Sequence, residues 1–537
     1  MKLMEFATAE KLRGGFYTPE PIAEFILRWG INGSTNYDIL EPSCGDGVFL
    51  EQISRQNLAY NSITAIEYDE IEAQKADKIL LHNKSVLNED FHVYCNETNK
   101  KFDLVVGNPP YIRYQYFNEN QQKEAALIFK RAGLTYSKLT NAWVSFVVGS
   151  SLLLKDKGKI GFVVPAELLQ VSYAQQLRSF LAYCFNKINI ISFERLVFPH
   201  IQQEVVLLLC EKDNTGQHKI EHLELKNAEA LALLDVNRLK SPSKTIDFKS
   251  NKWTYYFLEQ YEIDFLEKVS ERFKVSNIGK YANVEVGITT GANDFFTVNT
   301  ALVEQFQLQE FTRPMVGRSI QIDSIIFNEN DWLKNKDSKA KANLLVFPNG
   351  QEVKKHHGAM AYIENGENKG IHEGYKCGIR DDWFVVPSLK VSNALFLRRN
   401  NIFPKFVLNE ANAYTTDTMH RVFVKQGVNI KALIASYYNS VSLAFSEICG
   451  RSYGGGVLEL MPNEVEKIFM PYAIENEGLL DEIDTLFRNK KPIEDILKIM
   501  DIKILKNKLG FTEAEIQIAN NIWKKLSQRR VNRGKNK

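Results

Sequence analysis

Four adjacent residues, Asn108-Pro109-Pro110-Tyr111, combine two fixed carbonyl acceptors with an aromatic face. The Asn108 side-chain carbonyl and the Pro109 backbone carbonyl can each accept one N–H of an exocyclic amine, and the locked φ of proline keeps both acceptors in place. Such an amine is a poor nucleophile while its lone pair is delocalised into a heteroaromatic ring. Acceptors that draw it towards tetrahedral geometry aim the lone pair at an electrophilic carbon. Tyr111 offers a surface on which the ring can stack. A proline-terminated strand explains the stop in the chain, but not the Asn and Tyr that flank the prolines.

The elements that must hold these groups are legible around them. The apolar run from Phe102 to Val106 reads as a buried strand that Gly-Asn-Pro-Pro halts. Upstream, "ILEPSCGDGVFL" reads as a strand, a tight small-residue turn from Ser43 to Gly47 and a helix start, which lets backbone approach a ligand at a sheet's carboxyl edge. Gly45-Asp46-Gly47 is only part of GxGxxG, because Leu50 stands where the third glycine would be, and a dinucleotide dehydrogenase is disfavoured. The next strand, "SITAIE", ends in Glu67, about twenty residues on, where a carboxylate accepts from two ribose hydroxyls. Adenosine is therefore a natural ligand. Asp90-Phe91 is expected just before or at a third strand, either as an amino-group acceptor beside an aromatic face or as an ordinary strand edge. Thr18, before Pro19, opens a helix, and its simplest reading is an N-cap.

The chain has 537 residues, 44% hydrophobic and 25% charged, enough for at least two cored domains, with a formal charge of only +2. Up to about residue 240, short apolar runs alternate with amphipathic stretches, which predicts an open, mostly parallel sheet covered on both faces. "AELLQVSYAQQLRSFL" is expected as one helix, and "INIISFERLVF" with "EVVLLLCEK" as an antiparallel hairpin closing one edge. Beyond residue 250 the rhythm changes to shorter strands and many turns, and from about Tyr472 it becomes helical. Six cysteines without a CxxC pair argue against a zinc ribbon or disulfide framework, and His356-His357, read as a solvated turn, has no further ligand at spacing, so no metal is expected. The longest near-apolar stretch, Ala142 to Leu154, is too short to span a bilayer, and no secretory signal is visible, which predicts a soluble cytoplasmic protein without a membrane partner. From Asp501 onward ten Lys or Arg stand against three Asp or Glu, a tail read either as phosphate-touching or as a solvated disordered end.

As an ordered set, "GGFYTP", "LEPSCGDGVFL", Glu67, Asp90-Phe91 and Asn-Pro-Pro-Tyr resemble the TaqI-like, gamma-ordered DNA adenine-N6 methyltransferases of type II restriction-modification systems. The resemblance implies a Rossmann-like, S-adenosyl-L-methionine-dependent α/β domain over residues 1–240 with a mostly parallel seven-stranded sheet. It implies a mixed α+β target-recognition domain over 250–537. The methionine part of the cofactor would lie near Thr18, Glu41, Cys44 and Gly45, and its ribose and adenine near Glu67, Tyr68, Asp90 and Phe91, with Asn108 adjoining. Glu41 stands where many relatives carry Asp. Asn108, Pro109, Pro110 and Tyr111 would hold a flipped adenine, and Phe198 is the candidate for a second aromatic clamp, against its reading as core.

A pocket that selects a base cannot choose a sequence, so double-stranded DNA must be read by the second half. Arg318, Arg380 and Arg451 are candidates for phosphate or guanine, each also readable as a surface ion pair, and Arg113 lies in a loop after the motif. Gly454 to Gly456 permits close approach of DNA or of another loop. The expected protein is a monomer acting beside a separate cognate restriction endonuclease in a bacterial or archaeal cell. Its rivals are an RNA or protein-glutamine methyltransferase and a DNA-binding subunit with a vestigial pocket.

Overall fold

A computed structural model describes residues 17–32, 36–112, 116–137, 140–198, 203–213, 216–236, 242–246, 248, 252–272, 275–453 and 455–535. Two compact units divide the chain between Ile263 and Asp264.

In the first unit, α1 (Glu20–Ile31) precedes β1 (Asp38–Glu41), α2 (Val48–Arg55), β2 (Ser62–Glu67), α3 (Glu70–Asp77), β3 (Lys84–Asn88), α4 (Phe91–Glu97) and β4 (Phe102–Gly107). Then come α5 (Glu119–Arg131), α6 (Trp143–Leu152), β5 (Leu154–Pro165), α7 (Glu167–Gln170), α8 (Gln175–Cys184), β6 (Lys187–Phe193), β7 (Val205–Glu211), β8 (Lys219–Leu225) and β9 (Lys244–Thr245). The strands form one sheet in the order β3-β2-β1-β4-β5-β7-β6-β8-β9, and five of its eight pairings are parallel. Strand β4 lies at its centre with Leu104, Val105 and Val106 fully buried, so it reads as an unbroken apolar run rather than an alternation. Strand order reverses beside β1, where β4 rather than β2 continues the sheet, and β1, β2 and β4 all end towards one crevice.

Three expectations about this unit are corrected. The sheet has nine strands, not seven: β8 and β9 extend it beyond the hairpin. In β8, "KIEHLEL", Ile220 alone is fully buried, and so polar a strand does not stand out by hydropathy. Strands β6 and β7 do pair antiparallel, but β7 inserts between β5 and β6 and closes no edge. The run after Pro165 is two helices, because the chain is extended at Val171 (φ −84°, ψ 150°). Arg178 makes that break tolerable by donating from Nη1 to the carbonyls of Leu168 (2.8 Å) and Val171 (3.0 Å).

The second unit contains a five-stranded mixed sheet running from Ala282–Val286 through Met419–Val424, Ala394–Leu397 and Phe406–Asn409 to Ile326–Phe327. Helices Ile430–Tyr437 and Ser440–Cys449 are almost wholly buried. Helices Leu480–Arg488, Ile493–Met500 and Glu513–Lys535 follow. The basic end is therefore helical as far as described, not a solvated tail, and Arg530 is buried with its guanidinium on Glu447 (2.6 and 3.0 Å). Apolar Ile522, Trp523 and Leu526 draw this helix inward despite its charge. Among the described residues no helix is long and apolar enough to cross a membrane, and no group of three His, Cys, Asp or Glu is placed to hold a metal ion.

Candidate active site

The turns after β1, β2, β3 and β4 converge on a cavity of about 440 Å³. Gly45 (φ +54°) and Gly47 (φ +97°) shape the first turn in the left-handed region, and a Cβ on Gly47 would meet Ile79 at 2.6 Å. The Gly45 N–H donates to Glu67 Oε2 (2.8 Å) and the Asp69 N–H to Oε1 (2.9 Å), so the carboxylate that ends β2 is clamped across the turn. Burial nevertheless pushes the Glu67 carboxyl up, against the lowering effect of those N–H groups. Glu41, at the end of β1, is 2% exposed, and its Oε2 has no hydrogen-bond partner. Burial first, then the charges of Glu67 and Asp46, raise its carboxyl well above the usual range. Cys44 is a buried thiol raised by burial and by the same carboxylates.

Thr18 lines the cavity and is buried; it does not cap α1, whose N-cap is Pro19 without a side-chain bond. Tyr68 is at the wall but 64% exposed. Asp90 lies beyond β3, not before or in it: it is the N-cap of α4, and its Oδ1 accepts the His92 N–H at 2.7 Å. An aspartate one residue ahead of a helix satisfies an orphan N–H, and this decides its place. Phe91 is on the wall and stacks on Phe146 with centroids 4.9 Å apart.

From the motif, Asn108 and Pro110 line the cavity, and Pro109 is buried beside them. Ser43 Oγ donates to the Asn108 backbone carbonyl (3.4 Å), tying the motif to the glycine turn. Tyr111 packs against the core, and its hydroxyl lies 2.7 Å from Asn108 Oδ1 and 3.1 Å from the Val163 carbonyl. That burial raises the phenol well above its ordinary value. Phe198 is not on the cavity wall: it is 7% exposed in the core cluster against which Tyr111 also packs. Arg113 lies outside the described residues, as does Gly454 of the triple glycine. In the second unit Arg318 is exposed, Arg380 donates to the carbonyls of Thr289, Thr290 and Trp383, and Arg451 pairs with Glu464 at 2.9 Å.

Sequence reasoning did not single out His92, Ile112, Phe117, Gln121 or Phe146, which also line the cavity. Gln121 carries a usable signal, because Asn118 and Gln121 form a capping box at the start of α5. Among the described residues, the cavity wall holds seven acidic side chains, Glu41, Glu67 and Asp90 among them, and no lysine or arginine. Such a wall disfavours phosphates and favours a positively charged ligand.

A nucleoside-sized cavity at the switch point of this sheet, beside a fixed amide acceptor, is the arrangement of a nucleoside-cofactor-dependent group-transfer enzyme. Residues 46–198 match the family model "Eco57I restriction-modification methylase", and residues 250–505 match "Type II methyltransferase M.Eco57I, C-terminal domain". The chain belongs to these type II restriction-modification methyltransferases, enzymes acting on DNA. It is 26% identical to the type II methyltransferase M.AccI of Acinetobacter calcoaceticus over 496 residues, covering 89% of this chain and 88% of that one. It is 25% identical to M.HindII of Haemophilus influenzae, over 59% of this chain and 60% of that protein. With the type II restriction enzyme and methyltransferase RM.Eco57I of Escherichia coli it shares 30% identity over 202 residues, covering 37% of this chain and 20% of that one.

Proposed function

We propose that this DNA methyltransferase binds S-adenosyl-L-methionine in the acidic cavity and methylates N6 of an adenine flipped out of a specific duplex sequence. The observation that carries the reading is the cavity wall itself, with its carboxylates, no basic side chain among the described residues that line it, and the unpartnered Glu41 oxygen. A sulfonium and an ammonium fit such a wall; a dinucleotide pyrophosphate does not. Thr18, Glu41 and Cys44 would hold the methionine end, Glu67 and Tyr68 the ribose, and Asp90 and Phe91 the adenine. When bound, the cofactor supplies an electrophilic methyl group.

The remaining work falls to the chain. Asn108 Oδ1 and the Pro109 carbonyl are the two acceptors for the N–H bonds of the target amine. The lone pair of that nitrogen is thereby directed at the methyl carbon, and the proton leaves to water once the nitrogen is cationic. A paired, stacked adenine cannot reach these acceptors, so the base must leave the duplex, and the second unit supplies the groove contacts that choose where. Arg318, the exposed arginine of the three considered there, is the best placed for phosphate or guanine. A separate endonuclease would cut the unmethylated sequence.

Incubation with methyl-labelled cofactor and unmethylated duplex DNA, followed by mapping of modified bases, tests the reading. N6-methyladenine at one sequence is expected; label confined to RNA or protein would refute it. Asn108→Ala should abolish transfer and leave cofactor affinity within about threefold, because it removes one acceptor for the amine and none for the cofactor.

A further inference from the structure

Behind Asp90 lies a buried chain of hydrogen bonds that the transfer step does not use. His92 Nδ1 is 2.7 Å from Asp90 Oδ1, and His92 Nε2 is 2.7 Å from Ser145 Oγ, on α6. Ser145 Oγ in turn donates to the Ala142 carbonyl at 2.8 Å. The order Asp-His-Ser is that of a hydrolytic triad, but Ser145 is fully buried within a helix and its proton is committed to a carbonyl, so it is no nucleophile.

Nδ1–H of His92 donates to the Asp90 carboxylate, and Nε2 shares a hydrogen bond with Ser145 Oγ. The carboxyl of Asp90 lies below its ordinary range: burial raises it, but His92 and Gln121 outweigh that. Asp90 therefore meets Nδ1 as a carboxylate, the acceptor in that contact. Asp90 Oδ1 is filled by the His92 N–H and Nδ1–H, while Oδ2 accepts Gln121 Nε2 at 2.9 Å. The Gln121 amide cannot flip, because its Oε1 accepts the Asn118 N–H at 3.2 Å. One lone pair of Oδ2 is left, and Phe91, Phe117 and Phe146 line the same cavity.

We infer that His92, seated on Ser145, is a positioning residue that holds Asp90 with one acceptor turned to the purine 6-position, selecting an amino group over an oxo group. The inference rests on the reading that this cavity takes the adenosine half of the cofactor. It adds the source of the selectivity: an oxo group would set its oxygen against a carboxylate that cannot rotate to expose a donor.

Calorimetric titration of the full chain with S-adenosylhomocysteine and with its hypoxanthine counterpart tests this without turnover. The wild type should favour the amino compound by about tenfold or more, the worth of one hydrogen bond to a charged acceptor. His92→Leu should lower that ratio to about threefold or less, chiefly by weakening the amino compound, and His92→Asn, which keeps a donor near the Nδ1 position, should restore part of it. A folded His92→Leu that keeps the wild-type ratio overturns the inference. Should His92→Leu not fold, Ser145→Ala decides: a fall in the ratio supports the inference and an unchanged ratio overturns it. A wild type that does not discriminate at all would instead sink the adenosine reading of the cavity.

Discussion

At the scale of single residues, the contact between Tyr111 and Asn108 changes what the motif is asked to do. The sequence predicts Tyr111 as a stacking face; the geometry adds a hydroxyl 2.7 Å from the amide oxygen that is to accept the substrate amine. That bond fixes the amide, so the substrate meets an acceptor that is already oriented. Tyr111→Phe keeps the ring and removes the bond, and kcat for methyl transfer should fall about tenfold with little change in cofactor affinity. If stacking were the whole role, steady-state assays would find Tyr111→Phe near wild type and only Tyr111→Ala impaired.

At the scale of elements, the strands and turns that carry the site were legible because each has a local cause. Glycines at positive φ, an apolar central strand and a carboxylate at a strand's end leave marks within a few residues of themselves. His92 and Phe146 were not legible as site residues, since nothing near them says which face of a helix will meet a cavity. Phe146 is one apolar residue in the apolar run of α6, and its position beside Phe91 follows from packing alone. Phe198 shows the converse, an aromatic in a suggestive place whose burial is that of core. Phe198→Ala should cost about 3–5 kcal/mol of stability by cavity formation. Chemical denaturation checks this: a variant as stable as wild type but slow in transfer would return Phe198 to the clamp role.

At the scale of the molecule, the second unit carries a built-in dependence on pH. Asp501 is 3% exposed, accepts from the N–H (2.8 Å) and hydroxyl (2.6 Å) of Ser440, and is pushed up to about 6, chiefly by burial. A carboxyl raised in the folded state contributes stability below its unfolded value near 4, and that contribution is lost as pH rises through about 6. The loss amounts to about 3 kcal/mol at neutral pH. Asp501→Asn should therefore match wild type near pH 4 and exceed it by up to about that amount at pH 7. Urea melts across this range that showed a constant difference would place the raised value elsewhere.

Arg530 closes on Glu447 from 83 residues further along the chain, and also donates to the carbonyls of Asn401 and Gly456. A ribosome delivers Glu447 long before its counter-charge. Until Arg530 emerges, the second unit can bury that carboxylate only at a cost of about 3–5 kcal/mol, so its closure waits on nearly the last turn of the final helix. A polypeptide released early, by a stop codon or a nick before that arginine, would lack the counter-charge, and quality-control proteases would meet an unclosed unit in place of a weakened enzyme.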